Sequence, residues 1–191
     1  MTLREILGVG LIGVLLTLTG TACDLSGKDE MDEHHLARLE ERLRSWPSLE
    51  DTARRITQAV DDIARAVTAR VPDLHFEPSG KPTHGTCSGD FHRNRIGGVE
   101  KNVGALFAPG PIPDDVWPEV LADARRIAAS YGVTQMELRV DKPGYHDVRF
   151  YDNTWNHLFL GHMEATSISG VTGCRVKSST EPNPPVPPSG R

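Results

Sequence analysis

The feature that most narrows the fold is a single apolar stripe. Leu49, Ala53, Ile56, Val60, Ile63 and Val67 step by 4, 3, 4, 3 and 4 residues, the repeat of one face of an α-helix. Arg54, Arg55, Asp61, Asp62 and Arg65 fall off that stripe, so the helix buries one side only and needs a second layer to cover it. Ser48, three residues ahead of Asp51, supplies a capping start, and Val71-Pro72 ends the helix. The stripe reads as core packing, with no sign of a membrane or cofactor surface.

The covering layer is written further along the chain. Leu74-His75-Phe76 predicts a short strand, and Pro78 to Cys87 reads as a loop. Val99 to Ala108 predicts a strand that Pro109-Gly110-Pro111 terminates. Asp114 or Asp115 then caps a second helix that buries Val116, Trp117, Val120, Leu121, Ala124, Ile127, Ala128 and Tyr131, with Gly132 in the left-handed position after its end. Met136, Leu138 and Val140 alternate with Glu137 and Arg139 as a half-buried strand does. Val148 and Phe150 form the next strand, between turns at Lys142-Pro143-Gly144 and Asp152-Asn153. His157 to Ser169 and Val171 to Val176 read as one long last strand, bent at Gly170 or Gly173. Short turns between consecutive strands make a meander. The expected class is therefore α+β: two main helices on one face of an antiparallel sheet, with one N-terminal strand and a C-terminal three-strand meander.

The N-terminus sets the compartment. Arg4 leads into 17 uncharged residues, Ile6 to Ala22, that close on Thr19-Gly20-Thr21-Ala22-Cys23. A spanning helix takes about 20 residues, so export followed by cleavage fits better than a membrane span. The pattern resembles a bacterial lipoprotein signal, in which Cys23 becomes the first mature residue and carries the acyl chains. The expected organisation is a signal peptide over 1–22, a lipidated N-terminus and tether or short helix over 23–47, a domain over 48–177 and a disordered Pro-rich tail over 178–191. Leu36, Leu39 and Leu43 give the tether an amphipathic helical spacing. With Cys23 acylated, Cys87 and Cys174 remain in an oxidising compartment, where two cysteines most simply form a disulfide. The net charge of −5 argues against a nucleic-acid partner, which requires a basic face, and gives no electrostatic help toward an anionic bilayer. Lipid, not charge, would hold such a protein at a membrane.

Candidate chemistry is sparse. Gly85-Thr86-Cys87-Ser88-Gly89 has the spacing of a nucleophile elbow, and its Cys-Ser-Gly core is similar to the start of the catalytic helix in NlpC/P60-type cell-wall cysteine peptidases. With His146, His157 or His162 as base, Cys87 would make a hydrolase. The residues that follow, Asp90-Phe91-His92-Arg93-Asn94-Arg95, make a polar stretch around the one apolar Phe91, whereas the nucleophile should open a helix packed into the core, and a disulfide would remove the thiolate. His84, Cys87, Asp90 and His92 have ligand chemistry suited to zinc or copper; a bridged Cys87 cannot ligate, and His157 and His162 fall on opposite faces of a strand. Phosphate-binding, dinucleotide and zinc-protease motifs are absent from the sequence. No catalytic residue, metal ligand or cofactor is assigned.

With these residues in place, the chain resembles the LppA-like family of mycobacterial lipoproteins. The resemblance rests on Cys23, on the helix Ser48-Leu49-Glu50-Asp51-Thr52-Ala53-Arg54-Arg55 running to Val71-Pro72, and on Cys87. The Ala128-Ala129-Ser130-Tyr131-Gly132 helix end and the Val171-Thr172-Gly173-Cys174 ending complete it. It covers roughly residues 20 to 180 and implies a membrane-anchored envelope protein without an established activity. The resulting expectation is a non-enzymatic binding or structural module on the extracytoplasmic side of the membrane, with an envelope lipid, glycan or protein as ligand; the alternative is the cysteine hydrolase.

Overall fold

The structure, a computed structural model, describes residues 33–178. The signal, Cys23 and residues 179–191 of the tail lie outside the described residues. Three α-helices are described, α1 (Glu33–Ser45), α2 (Leu49–Arg70) and α3 (Trp117–Ser130). Seven strands accompany them: β1 (Glu77–Ser79), β2 (Thr83–Thr86), β3 (Val99–Pro109), β4 (Gln135–Lys142), β5 (Tyr145–Tyr151), β6 (His157–His162) and β7 (Ala165–Val171). The sheet runs β1-β3-β7-β6-β5-β4 with β2 sharing β3, and every pairing is antiparallel. The class is α+β, as the patterning predicts.

α2 forms where the stripe places it. Ser48 Oγ accepts the Asp51 N–H at 3.1 Å, satisfying one of the otherwise orphaned donors of the first turn. Ile56, Ala59, Val60, Ile63 and Val67 are buried against the even-numbered face of the sheet, where Val148, Phe150, Leu158, Leu160 and Ile168 are at most 1% exposed. Burying each of the larger side chains contributes about 1.5–3 kcal/mol. Trp117, Val120, Ala124 and Ala128 of α3 join the same core. Arg70, at the end of α2, ties the two helices together by pairing with Glu119 and Asp123.

Four details differ from the sequence reading. The loop over Pro78 to Cys87 contains β1 and β2, and Leu74 is a buried loop residue rather than strand. β1 and β2 are fully exposed, so no apolar alternation announces them, and both lean on the 11-residue β3, which bulges between Asn102 and Ala105. Gly104, at φ +95°, supplies the left-handed residue there. The long last strand is two strands, β6 and β7, turned at Met163-Glu164; the turn lacks the usual Gly, Asn or Pro signals, and Gly170 is a contact with α2 rather than a bend. The meander therefore has four strands. α3 starts at Trp117 without a side-chain cap, with Pro118 in its first turn, which leaves Asp114 for another task. Leu138 pairs in register with the buried Val148 but is 43% exposed because β4 is the edge strand; the register slips only past it, between Leu138 and Val140.

α1 occupies part of the stretch read as a tether or short helix. Leu36, Leu39 and Leu43 are buried, and the Glu40 carboxylate accepts the Arg95 N–H at 2.9 Å, a bond that holds this carboxyl below its usual range.

Candidate binding face

With α2 and α3 on one side, the other side of the sheet is bare of helices among the described residues. Register fixes what it presents. Glu137, Arg149, Phe159, Ser169 and Ala105 form one row across β4, β5, β6, β7 and β3, and Asp147, Gly161, Ser167 and Phe107 form the next. Around Gly161, the small residues Ser167, Ser169 and Ala165 leave a hollow of about 410 Å³, walled by Arg139, Tyr145, Asp147 and Phe159. Its charges are paired: Arg139 reaches Asp147 at 3.3 Å, and Arg149 pairs with Glu137. Phe159 ends a stack of rings, 5.9 Å from His157, which is 6.3 Å from Tyr151; Arg149 lies over Tyr151 at 5.1 Å. Burial, reinforced by the Arg149 charge, pushes His157 below the usual histidine range. Phe107 and Met163, 43% and 55% exposed, stand beside the hollow.

The helix-covered face carries a second polar cluster at the other end of β6 from His157. His146 directs Nδ1 at Asp141 (2.7 Å) and Nε2 at Asp114 (3.2 Å). Trp117 stacks on His146 at 4.6 Å and meets His162 edge-on at 5.3 Å. Asp114 also accepts the Gly144 N–H at 2.9 Å. That bond, followed by the one to His146, keeps its carboxyl low. The cluster fastens the β4–β5 turn to the start of α3. His162 is 3% exposed and neither ring nitrogen has a hydrogen-bond partner among the described residues.

Cys87 and Cys174 are bonded to each other, with Cα atoms 5.2 Å apart. Cys87 therefore presents no thiolate, and the three candidate bases do not converge on it. His146 and His162 lie at the Asp141 end of the sheet, and His157 faces the bare side. Of the other metal candidates, His84 is exposed on β2, Asp90 faces His35 at 4.0 Å and His92 Nδ1 lies 2.7 Å from the Gly89 carbonyl. Among the described residues no group of three or more His, Cys, Asp and Glu side chains is placed to hold a metal ion.

Sequence reasoning missed two sets of residues. One is the lining of the hollow, whose only signal is the alternation of small polar residues with apolar ones in β6 and β7. The other is Arg175, 2% exposed beside the disulfide. Its five N–H groups reach Thr52 Oγ1, Thr154 O and Oγ1, Asn156 Oδ1 and Cys174 O, and Trp46 covers it at 4.8 Å. Burial among neutral acceptors pushes Arg175 down to about 10. It pins the C-terminal segment to α2 and to the β5–β6 turn.

The LppA family model, described as a lipoprotein confined to pathogenic Mycobacterium, matches residues 26–178. The chain belongs to the LppA family. Two solved structures share its fold. LppA from Mycobacterium tuberculosis is 16% identical, with a TM-score of 0.63 over 79% of this chain and 92% of that one. A DUF4853 family protein from Actinomyces odontolyticus ATCC 17982 is 15% identical, with a TM-score of 0.54 over 77% and 80%. At such identities the likeness concerns fold alone. No curated protein matches the chain. The LppA-family region takes in the disulfide, Arg175 and the whole bare face, and no helix among the described residues is long and apolar enough to cross a membrane.

Proposed function

We propose that the chain is a lipid-anchored envelope module, attached through Cys23 to the extracytoplasmic face of the membrane, that binds without catalysis through the bare face of its sheet. One observation carries the reading. The hollow gathers the side-chain hydroxyls of Tyr145, Ser167 and Ser169 beside the Phe159 ring, on strands backed by the core. Rigid strands hold such groups in place more accurately than loops do. Family membership supports the anchor, and the Cys87–Cys174 bond argues against the hydrolase.

Two measurements test this. Cys23→Ala should move the exported chain from the membrane fraction to the soluble one; retention in the membrane would defeat the anchor. The mature chain with Cys23→Ser should sediment with insoluble cell-wall material, and Gly161→Val should abolish that. Gly161 suits the purpose because a Cβ there meets nothing closer than the His146 carbonyl at 3.4 Å, an ordinary contact, and valine favours a strand. Undiminished sedimentation of a folded Gly161→Val variant would rule the face out.

A further inference from the structure

Resting on that reading, we infer that the hollow around Gly161 is a site for a neutral sugar ring, so that the bare face recognises an uncharged glycan. The volume, about 410 Å³, lies within the range of small-molecule sites. Three features of the lining narrow the ligand. The first is charge. Arg139 and Asp147 face each other at 3.3 Å and cancel, and Arg149 is matched by Glu137. Within the lining, Arg139 and Asp147 thus leave no net charge to draw in a phosphate, sulfate or carboxylate, the Lys142 ammonium standing at the rim 5.3 Å from the Tyr145 ring, while each paired group keeps further donor or acceptor positions for a neutral partner.

The second is the hydroxyls. Tyr145, Ser167 and Ser169 each both donate and accept, which matches a ligand whose own groups are hydroxyls. An acyl chain would leave all of these groups unpaired and desolvated, at a cost for each. The third is the ring of Phe159, held in its orientation by the stack through His157 to Tyr151. It offers a flat apolar surface to the C–H face of a pyranose, with polar groups around it for the equatorial hydroxyls. A protein partner would be expected to bury a convex apolar core across a larger area, whereas this surface is concave and polar, with Phe107 and Met163 the large apolar side chains exposed beside it.

The test uses the mature chain carrying Cys23→Ser, titrated with purified mannan, arabinan, α-glucan and chito-oligosaccharides, with heparin and inorganic phosphate as anionic probes. Amide shifts are followed by NMR. At least one neutral saccharide should shift the Phe159–Gly161 and Ser167–Ser169 amides. Phe159→Ala should weaken that binding by about tenfold or more, roughly the effect of losing one central contact, and Phe159→Tyr should restore it. Gly161→Val should block it; Ser169→Arg, on the surface of the same hollow, serves if the valine variant does not fold. Silence toward every neutral saccharide, or binding of heparin or phosphate in their place, overturns the sugar assignment. The two readings fail separately. If Gly161→Val still abolishes sedimentation with wall material while no neutral saccharide binds, the face stands and the sugar falls; if sedimentation survives the substitution, the face itself is wrong.

Discussion

His162 is wedged between Trp117 and His146, and neither ring nitrogen has a hydrogen-bond partner among the described residues. Burial, with the neighbouring His146 charge as a smaller contribution, lowers its proton affinity. Folding therefore disfavours the protonated ring. As pH falls below the ordinary histidine value of about 6.5, the unfolded chain takes up the proton first and stability is lost. The melting temperature should accordingly drop between pH 7 and pH 5. His162→Phe should reduce the drop, because phenylalanine keeps the ring packing without a titrating group, and it should cost nothing at pH 7, where the orphaned nitrogens contribute no bond. Equal slopes in the two proteins would contradict this. His157 is lowered in the same direction, so some slope should persist. Asp114, held low chiefly by the Gly144 N–H and then by His146, loses its contribution in a separate, more acidic window. At this scale a histidine in the sequence reads as a candidate base; only its neighbours show that it is packing.

Among the elements, the contact between α2 and β7 is the tightest test of how helix and sheet fit. A Cβ on Gly170 would stand 2.4 Å from Ile56 Cγ2 and 3.2 Å from Val60 Cγ2, so glycine here is what lets the helix approach the strand. Gly170→Ala should destabilise by about 1–3 kcal/mol through overpacking, measured by urea unfolding, whereas Gly161→Ala on the opposite face should be near neutral. Equal effects would mean that the helix does not seat on that strand. The helices α2 and α3 and the strands β3, β4 and β5 were legible in the sequence, most plainly α2 and β5, whose side chains divide cleanly between buried and less buried positions. Those that were not have a physical reason. β1 and β2 bury nothing, so they leave no hydrophobic period. The β6–β7 turn is made by Met163 and Glu164, which carry no turn chemistry, so two strands read as one. Asp114 reads as a cap because it precedes a helix, but Pro118 already pre-sets that first turn and the carboxylate serves His146 and Gly144 instead.

Across the whole molecule, one covalent link joins the segment after β2 to the segment after β7. The Cys87–Cys174 bond closes a separation of 87 residues, and in the chain-entropy account such a loop contributes about 4–5 kcal/mol by restricting the unfolded ensemble. Reduction should lower the denaturation midpoint accordingly, and alkylation of the mature Cys23→Ser chain before reduction should label no thiol; two labelled thiols would reopen the hydrolase. The cysteine pairing was legible because, on the expectation of export, the two cysteines left beside Cys23 most simply pair. The bare face was not, since a hollow is a property of the sheet register and appears only when β5, β6 and β7 lie side by side. The most direct test of binding through that face compares hydroxyl-radical footprints of the full-length chain expressed in intact cells with those of the purified chain carrying Cys23→Ser. The account predicts that Tyr145, Phe159 and Met163 are protected in the envelope while Trp155, 52% exposed on the β5–β6 turn, is modified alike in both; equal modification of all four residues would contradict it.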